Sequence, residues 1–260
     1  MPDDSLHDAL GIEIAQPALV AAVGGGGKTT ILFALARERA ASPPPVADAV
    51  PPISVLTTTT KFTVPGFAKS WPLILGASAA SRSAAIEHAW IREQPAIVVG
   101  TRRLERERIR GVSLEWPVDA LQSDIVGFVG VEADGSAGRP FKAPADHEPV
   151  IPHHTSHVLA VVGVQILNKP LDAQHVHRPE HVRALTDAEP GAPITAALVA
   201  AVLGHPQGGR KNIADAKFRV IVSSAQRDPN GAESIAAACH QTGIDWVIAY
   251  DAQSDVARRL

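Results

Sequence analysis

Residues 23–30 read Val-Gly-Gly-Gly-Gly-Lys-Thr-Thr, and this stretch constrains the fold more than any other. Each glycine costs backbone entropy on folding, so four in a row suit neither a helix nor a strand interior. They suit a tight bend whose backbone wraps closely around something. An apolar run, Ala18-Leu19-Val20-Ala21-Ala22-Val23, precedes the bend and reads as a buried strand. Residues 29–39 (TTILFALARER) follow it, with Ile31, Leu32 and Leu35 at helical spacing. Strand, glycine bend, lysine, hydroxyl and helix together form the context of a P-loop. In such a loop, Gly24, Gly25, Gly26 and Gly27 present backbone N–H groups to phosphates. Lys28 reaches the outer phosphate oxygens, Thr29 helps to hold Mg²⁺, and Thr30 at the helix start is a further candidate for binding the nucleotide. Ala22 stands where the common spacing places the first glycine. The helix N-terminus adds partial positive charge facing the anion.

Further apolar runs recur at 53–56, 97–99, 125–131, 158–162, 220–222 and 246–250, with helical patterns at 79–93 and 194–203 between them. Most runs are continuous rather than alternating, as expected of parallel strands covered on both faces. The expected fold is therefore α/β: a doubly wound, mostly parallel sheet of P-loop NTPase type in a single domain spanning 1–260. Within it, 17–41 is the P-loop unit and 42–52, with five prolines, is an exposed connection. Residues 204–217 form a polar loop, and 218–260 form a C-terminal strand–helix–strand.

The formal net charge of −3 and aromatic content of 4% give no basis for a nucleic-acid surface. Cys239 is the only cysteine, which excludes an intrachain disulfide and a cysteine-built metal site and fits a cytoplasmic location. The first ten residues, MPDDSLHDAL, show neither a signal peptide nor a membrane segment.

Ligands of open α/β sheets sit at the carboxyl ends of strands, so the residues after each run are the candidates. After the second run come Thr57-Thr58-Thr59-Thr60-Lys61; Thr59 and Lys61 are candidates for a phosphate or for Mg²⁺-bound water. After the fourth come Glu132-Ala133-Asp134-Gly135-Ser136. Glu132 is the first choice for holding Mg²⁺ or activating its water, and Asp134 the second. The proline-stiffened stretch 138–149 carries Arg139 and Lys142, candidates for an anionic group of a second ligand. It also carries His147 and Glu148, candidates for proton transfer. His153 and His157 could share a helix face as zinc ligands do, but no HExxH spacing exists and Pro152 precedes them, so the expected metal is Mg²⁺. His177-Arg178-Pro179-Glu180 could line the same cleft. Asp228, after the strand at 220–222, is either a purine contact or a turn residue.

The motifs GGGGKTT, TTTTK, VEADGS, GRPFKAPADHEPVIP and VHRPE together resemble the YqeC-type family, described as selenium-dependent hydroxylase accessory proteins. The resemblance runs from about residue 18 to about residue 230, and the EADGS through HEP stretch is its most specific part. It implies a part in maturing a selenium-dependent molybdenum hydroxylase. It also places Lys28, Thr29, Glu132, Asp134, Arg139, Lys142, His147 and Glu148 in the site. Where the family often has an asparagine-based motif, this chain has Ala225-Gln226-Arg227-Asp228, so ATP is expected ahead of GTP. The loop is also similar to that of Mur-type amide ligases, with Glu132 in the role of their Mg²⁺-binding glutamate. The expected activity is NTP hydrolysis or NTP-dependent group transfer. A non-catalytic nucleotide-gated binding module, or a small-molecule kinase or amide ligase, are the alternatives.

Overall fold

The first strand, β1 (Ala18–Gly24), is apolar at every position because both of its faces are covered. Leu19, Ala21 and Val23 join cores on one side of the sheet, and Ala18, Val20 and Ala22 join the core on the other. The computed structural model describes residues 5–42, 50–68, 70–105 and 108–260; the middle of the proline-rich connection lies outside them. The remaining strands are β2 (Ile53–Thr58), β3 (Lys61–Thr63), β4 (Leu73–Leu75), β5 (Ala96–Gly100), β6 (Arg102–Arg103), β7 (Arg108–Arg110), β8 (Val126–Glu132), β9 (Phe141–Lys142), β10 (His157–Gly163), β11 (Val176–His177), β12 (Lys217–Ser223), β13 (Val247–Asp251) and β14 (Val256–Arg259). The helices are α1 (Leu6–Leu10), α2 (Lys28–Ala41), α3 (Ala79–Ile91), α4 (Trp116–Leu121), α5 (Pro179–Thr186), α6 (Ala196–Gly204) and α7 (Pro229–Gln241).

Among the described residues, nine strands form one sheet in the order β14-β13-β12-β10-β1-β8-β2-β5-β4. Its pairs are parallel except β13 with β14. One face carries α1 and α2, and the other carries α3 and α4 beside α5, α6 and α7. The molecule is thus α/β, with a large, mostly parallel sheet wound on both faces. No helix among the described residues is long and apolar enough to cross a membrane.

The strand order positions the site. From β1 the chain crosses through α2 to β2, leaving a gap that β8 later fills, and then returns to the other side of β1 with β10 and β12. The direction of winding therefore reverses at β1, and such a reversal opens a crevice at the carboxyl ends of the strands. The glycine bend lies at that point.

The apolar runs all appear as strands, and the two expected helices form with ends shifted by a few residues. Short elements escape the periodicity reading. They are α1, α4, α5, the edge strands β4 and β14, the two-stranded sheet β9–β11 and the three-stranded sheet β3-β7-β6. Each is shorter than the window over which a hydrophobic period stands out from its surroundings. The segment from Pro152 to Ser156 is not helical and His157 opens β10. His153 and His157 therefore share no helix face, because the proline at 152 and the strand partner of His157 both oppose one. Among the described residues no group of three or more His, Cys, Asp or Glu side chains is placed to hold a metal. Asp228 caps α7, accepting the Gly231 N–H at 2.8 Å.

Candidate functional site: a cleft at the glycine bend

A cleft of about 1100 Å³ opens where β1, β2 and β8 end. Gly26, Gly27, Lys28, Thr29 and Thr30 line it, together with Thr59, Lys61, Glu132, His147 and Glu148. Ten of the residues expected at a site from sequence therefore meet in one place. Gly24, Gly25, Asp134, Arg139 and Lys142 do not line it; the N–H groups of Gly24 and Gly25, expected to face phosphates, donate instead to Asp134 Oδ2 at 3.0 Å and to Val161 O at 2.9 Å, because the start of the bend is packed against the protein's own chain.

The bend is glycine for two separate reasons. A Cβ on Gly24, Gly25 or Gly26 would lie 2.4 Å from Val161 O, 2.5 Å from Arg139 O or 2.6 Å from Gly163 N. The loop thus wraps closely against the protein's own backbone. At Gly27 a Cβ would meet only ordinary contacts with Ser223 at 3.8 Å, but φ is +123°, a conformation that L side chains rarely adopt. Ser223 Oγ donates to the Gly26 carbonyl and ties the bend to β12. Helix α2 starts at Lys28 with no side-chain N-cap and no acidic residue in its first turn. Its free N–H groups and positive end therefore face the cleft without an internal counter-charge from the cap.

Lys28 folds back over the bend. Its Nζ donates to Gly24 O at 2.6 Å and lies 3.1 Å from Asp134 Oδ1. Asp134, 1% exposed, also accepts the Gly24 N–H at 3.0 Å and lies 3.1 Å from Lys142 Nζ. Lys142 in turn donates to Gly135 O at 2.8 Å and to Glu148 Oε2 at 2.6 Å, and Glu148 accepts from Arg178 as well. The result is a chain of alternating charges, Lys28, Asp134, Lys142, Glu148 and Arg178. Buried charges require such pairing. Burial works against the charge on Lys28, but Asp134 and Glu132 outweigh it and hold the ammonium above the ordinary lysine range. Burial likewise opposes ionisation of Glu148. The hydrogen bonds and charges of Lys142 and Arg178 overcome that and bring its pKa down to about 2.

Glu132 is the last residue of β8, directly beside β1. Its Oε2 accepts from Thr29 Oγ1 at 2.5 Å. Burial raises its pKa above the usual carboxylate range, despite the pull of Lys28 and the Thr29 hydroxyl. Of the threonine run, Thr57 and Thr58 donate to Val99 O at 2.8 Å and Glu132 O at 2.7 Å inside the sheet. Thr59 donates to Val150 O at 2.6 Å from the cleft edge.

The segment carrying His147 and Glu148 is braced by the loop after α6. There Lys211 Nζ reaches Ala145 O at 2.9 Å and Asn212 Nδ2 reaches Pro149 O at 3.0 Å. His147 is exposed at the cleft. Arg139 donates instead to Ala173 O at 3.1 Å. His177 and Arg178 also line the cleft, because β11 pairs with β9 and brings His177 level with Lys142. Burial, then Arg178 and Lys142, lower the pKa of His177. Sequence reasoning had no role for Arg108, Arg110, Thr63, Thr101 or Ser113, which line the cleft too. The signal that could have found two of them is the alternation Arg-Ile-Arg at 108–110, matching Lys-Phe-Thr at 61–63.

The profile of a family described as YqeC protein matches residues 20–180, from β1 to the start of α5. "Uncharacterized protein YqeC" of Escherichia coli (strain K12) is 32% identical over 167 residues, covering 64% of this chain and 62% of that relative. The chain thus spans less than two thirds of the relative's length. No solved structure matches the chain. With a family match over more than half of its length, bend and carboxylates included, the chain belongs to the YqeC family.

Proposed function

We propose that the cleft is a P-loop NTPase-type site that binds a Mg²⁺–nucleoside triphosphate, ATP ahead of GTP, and that the protein hydrolyses it or transfers a group from it. The observation that carries this reading is the Thr29–Glu132 hydrogen bond of 2.5 Å between the first turn of α2 and the end of β8. It sets a hydroxyl and a carboxylate side by side at the head of an uncapped helix. Mg²⁺ takes oxygen ligands and keeps several waters, so one or two protein oxygens beside phosphates suffice. The donor set fits that ion, and the upward pull of burial on Glu132 is what a nearby dication would reverse. Thr29 and Glu132 would hold it, the latter directly or through water, and it would supply charge neutralisation on the phosphates.

The protein's own part is positioning. Amides of Gly26, Gly27 and the first turn of α2 hold the phosphate oxygens, and Lys28 adds a cation held at the loop by Asp134. Asp134 is in this reading a positioning residue, and His147, exposed at the cleft, is the group available for proton transfer. The part in maturing a selenium-dependent molybdenum hydroxylase rests on the family resemblance of the sequence motifs. One observation favours a nucleotide-gated binding module instead. Lys28 is latched to Gly24 O and Asp134, so a phosphate that draws it outward would disturb the whole chain of charges through Lys142 to Arg178.

A thermal-shift screen of nucleotides with and without Mg²⁺ tests the reading, since a ligand that binds only the native state raises the melting point. ATP with Mg²⁺ is expected to give the largest shift, and Lys28→Ala to abolish it. Glu132→Ala is expected to reduce Mg²⁺-dependent turnover far more than nucleotide affinity. A wild-type protein that no nucleotide stabilises would refute the site. Full nucleotide stabilisation without turnover would select the binding module.

A further inference from the structure

The cleft has a second wall that the nucleotide reading leaves unused. Strand β3 pairs antiparallel with β7, matching Lys61 with Arg110, Phe62 with Ile109 and Thr63 with Arg108, and β7 pairs with β6. Successive strand residues point to opposite faces. Phe62 and Ile109, 2% and 1% exposed, therefore enter the core shared with α2. Lys61, Thr63, Arg108 and Arg110 fall on the other face and line the cleft that also holds Gly26–Thr30. Lys61, Arg108 and Arg110 are exposed, and none of them has an ion-pair partner among the described residues. Across the ribbon Lys61 lies opposite Arg110, and Arg110 opposite Arg102. Like charges set directly opposite one another on paired strands are destabilising. The row Lys61, Arg110 and Arg102, of which the first two line the cleft, therefore works against the ribbon's own stability unless an anion sits beside it.

We propose that the cleft face of this ribbon is a second anion subsite and that it binds a small co-substrate through a phosphate group. Lys61, Arg108 and Arg110, with the hydroxyls of Thr63 and Thr101 along the same cleft wall, match a dianionic phosphate better than a single carboxylate, and arginine presents a planar fork of N–H donors to phosphate oxygens. The site takes the place expected for Arg139 and Lys142, of which the first donates to Ala173 O and the second is enclosed by Asp134, Gly135 and Glu148. The net charge of −3 and the scarcity of aromatics argue against a nucleic-acid strand as occupant. That the ligand is a co-substrate rests on the nucleotide reading; the anion subsite itself does not.

Inorganic pyrophosphate titrated calorimetrically into the full chain and into Arg108→Ala/Arg110→Ala tests this, each protein free and saturated with Mg²⁺ and the β,γ-imido analogue of ATP. Both arginines are exposed and Arg110 faces like charges, so the double variant is expected to melt no lower than the wild type. Wild type should bind pyrophosphate with the analogue already in place, more weakly as salt is added. The double variant should lose about tenfold or more of that affinity while keeping its affinity for the analogue. Unchanged pyrophosphate binding in the double variant overturns the subsite. Parallel loss of analogue affinity also overturns it, since the ribbon would then belong to the nucleotide site. Acetate competing as well as phosphate overturns the phosphate assignment. If the analogue fails to bind wild type, the nucleotide reading falls, and the subsite is still judged by pyrophosphate binding to the free proteins.

Discussion

Asp134 ties the glycine bend to two buried lysines. One carboxylate receives the Gly24 N–H, lies 3.1 Å from each of two ammonium groups and is 1% exposed. Removing its charge leaves Lys28 and Lys142 facing each other in a volume that excludes water. Breaking a buried pair from one side costs about 3–5 kcal/mol. Asp134→Asn is therefore expected to lower stability by about that amount, measured by urea unfolding, and to weaken nucleotide binding along with it. Read from sequence alone, Asp134 was the second choice, after Glu132, for holding Mg²⁺ or activating its water. Nothing local says that a lysine on a distant helix and another on β9 will both arrive at its oxygens. Gly25 teaches the same lesson. Its φ is ordinary, yet a Cβ there would sit 2.5 Å from Arg139 O. Gly25→Ala should displace the 139–141 segment and lower the melting point, although that alanine is allowed by backbone conformation.

The elements differ in how plainly they announce themselves. Strand β1, the bend and α2 were legible because a continuous apolar run, four glycines and a helical period follow one another within a few turns of chain. The ribbon β3-β7-β6 was not, because its strands are two or three residues long and its partners are separated by β4, α3 and β5. Its anchors are Phe62 and Ile109, buried beside Phe33 of α2. Truncating a buried isoleucine costs about 2–5 kcal/mol. Ile109→Ala is expected to cost that much and to release the ribbon from the core, seen as faster proteolysis between Lys61 and Arg110. The bend and its nucleotide affinity should persist, since they depend on β1, β8 and β10.

Across the whole molecule, the chain of charges joins the start of α2, the loop after β8, β9 and the start of α5, so acid should loosen the site and the fold together. Glu148 has a folded pKa of about 2 against an ordinary value of 4.5. Its folded form binds protons more weakly than its unfolded form, so its stabilising contribution is complete above pH 4.5 and is lost as pH falls toward 2. The melting point is expected to drop through that window. Glu148→Gln should flatten the drop while lowering stability at neutral pH, because Lys142 and Arg178 lose the negative charge they share. By itself the sequence determined the layered α/β class, the bend and the identity of Lys28, Thr29 and Glu132, because apolar runs, helical period and glycine content are local properties of the chain. The tertiary structure alone decided that β8 inserts between β1 and β2, that Asp134 serves two lysines, and that the basic ribbon joins the cleft. Those outcomes depend on strands pairing over long separations and on which charges lose water together, and no local pattern encodes either.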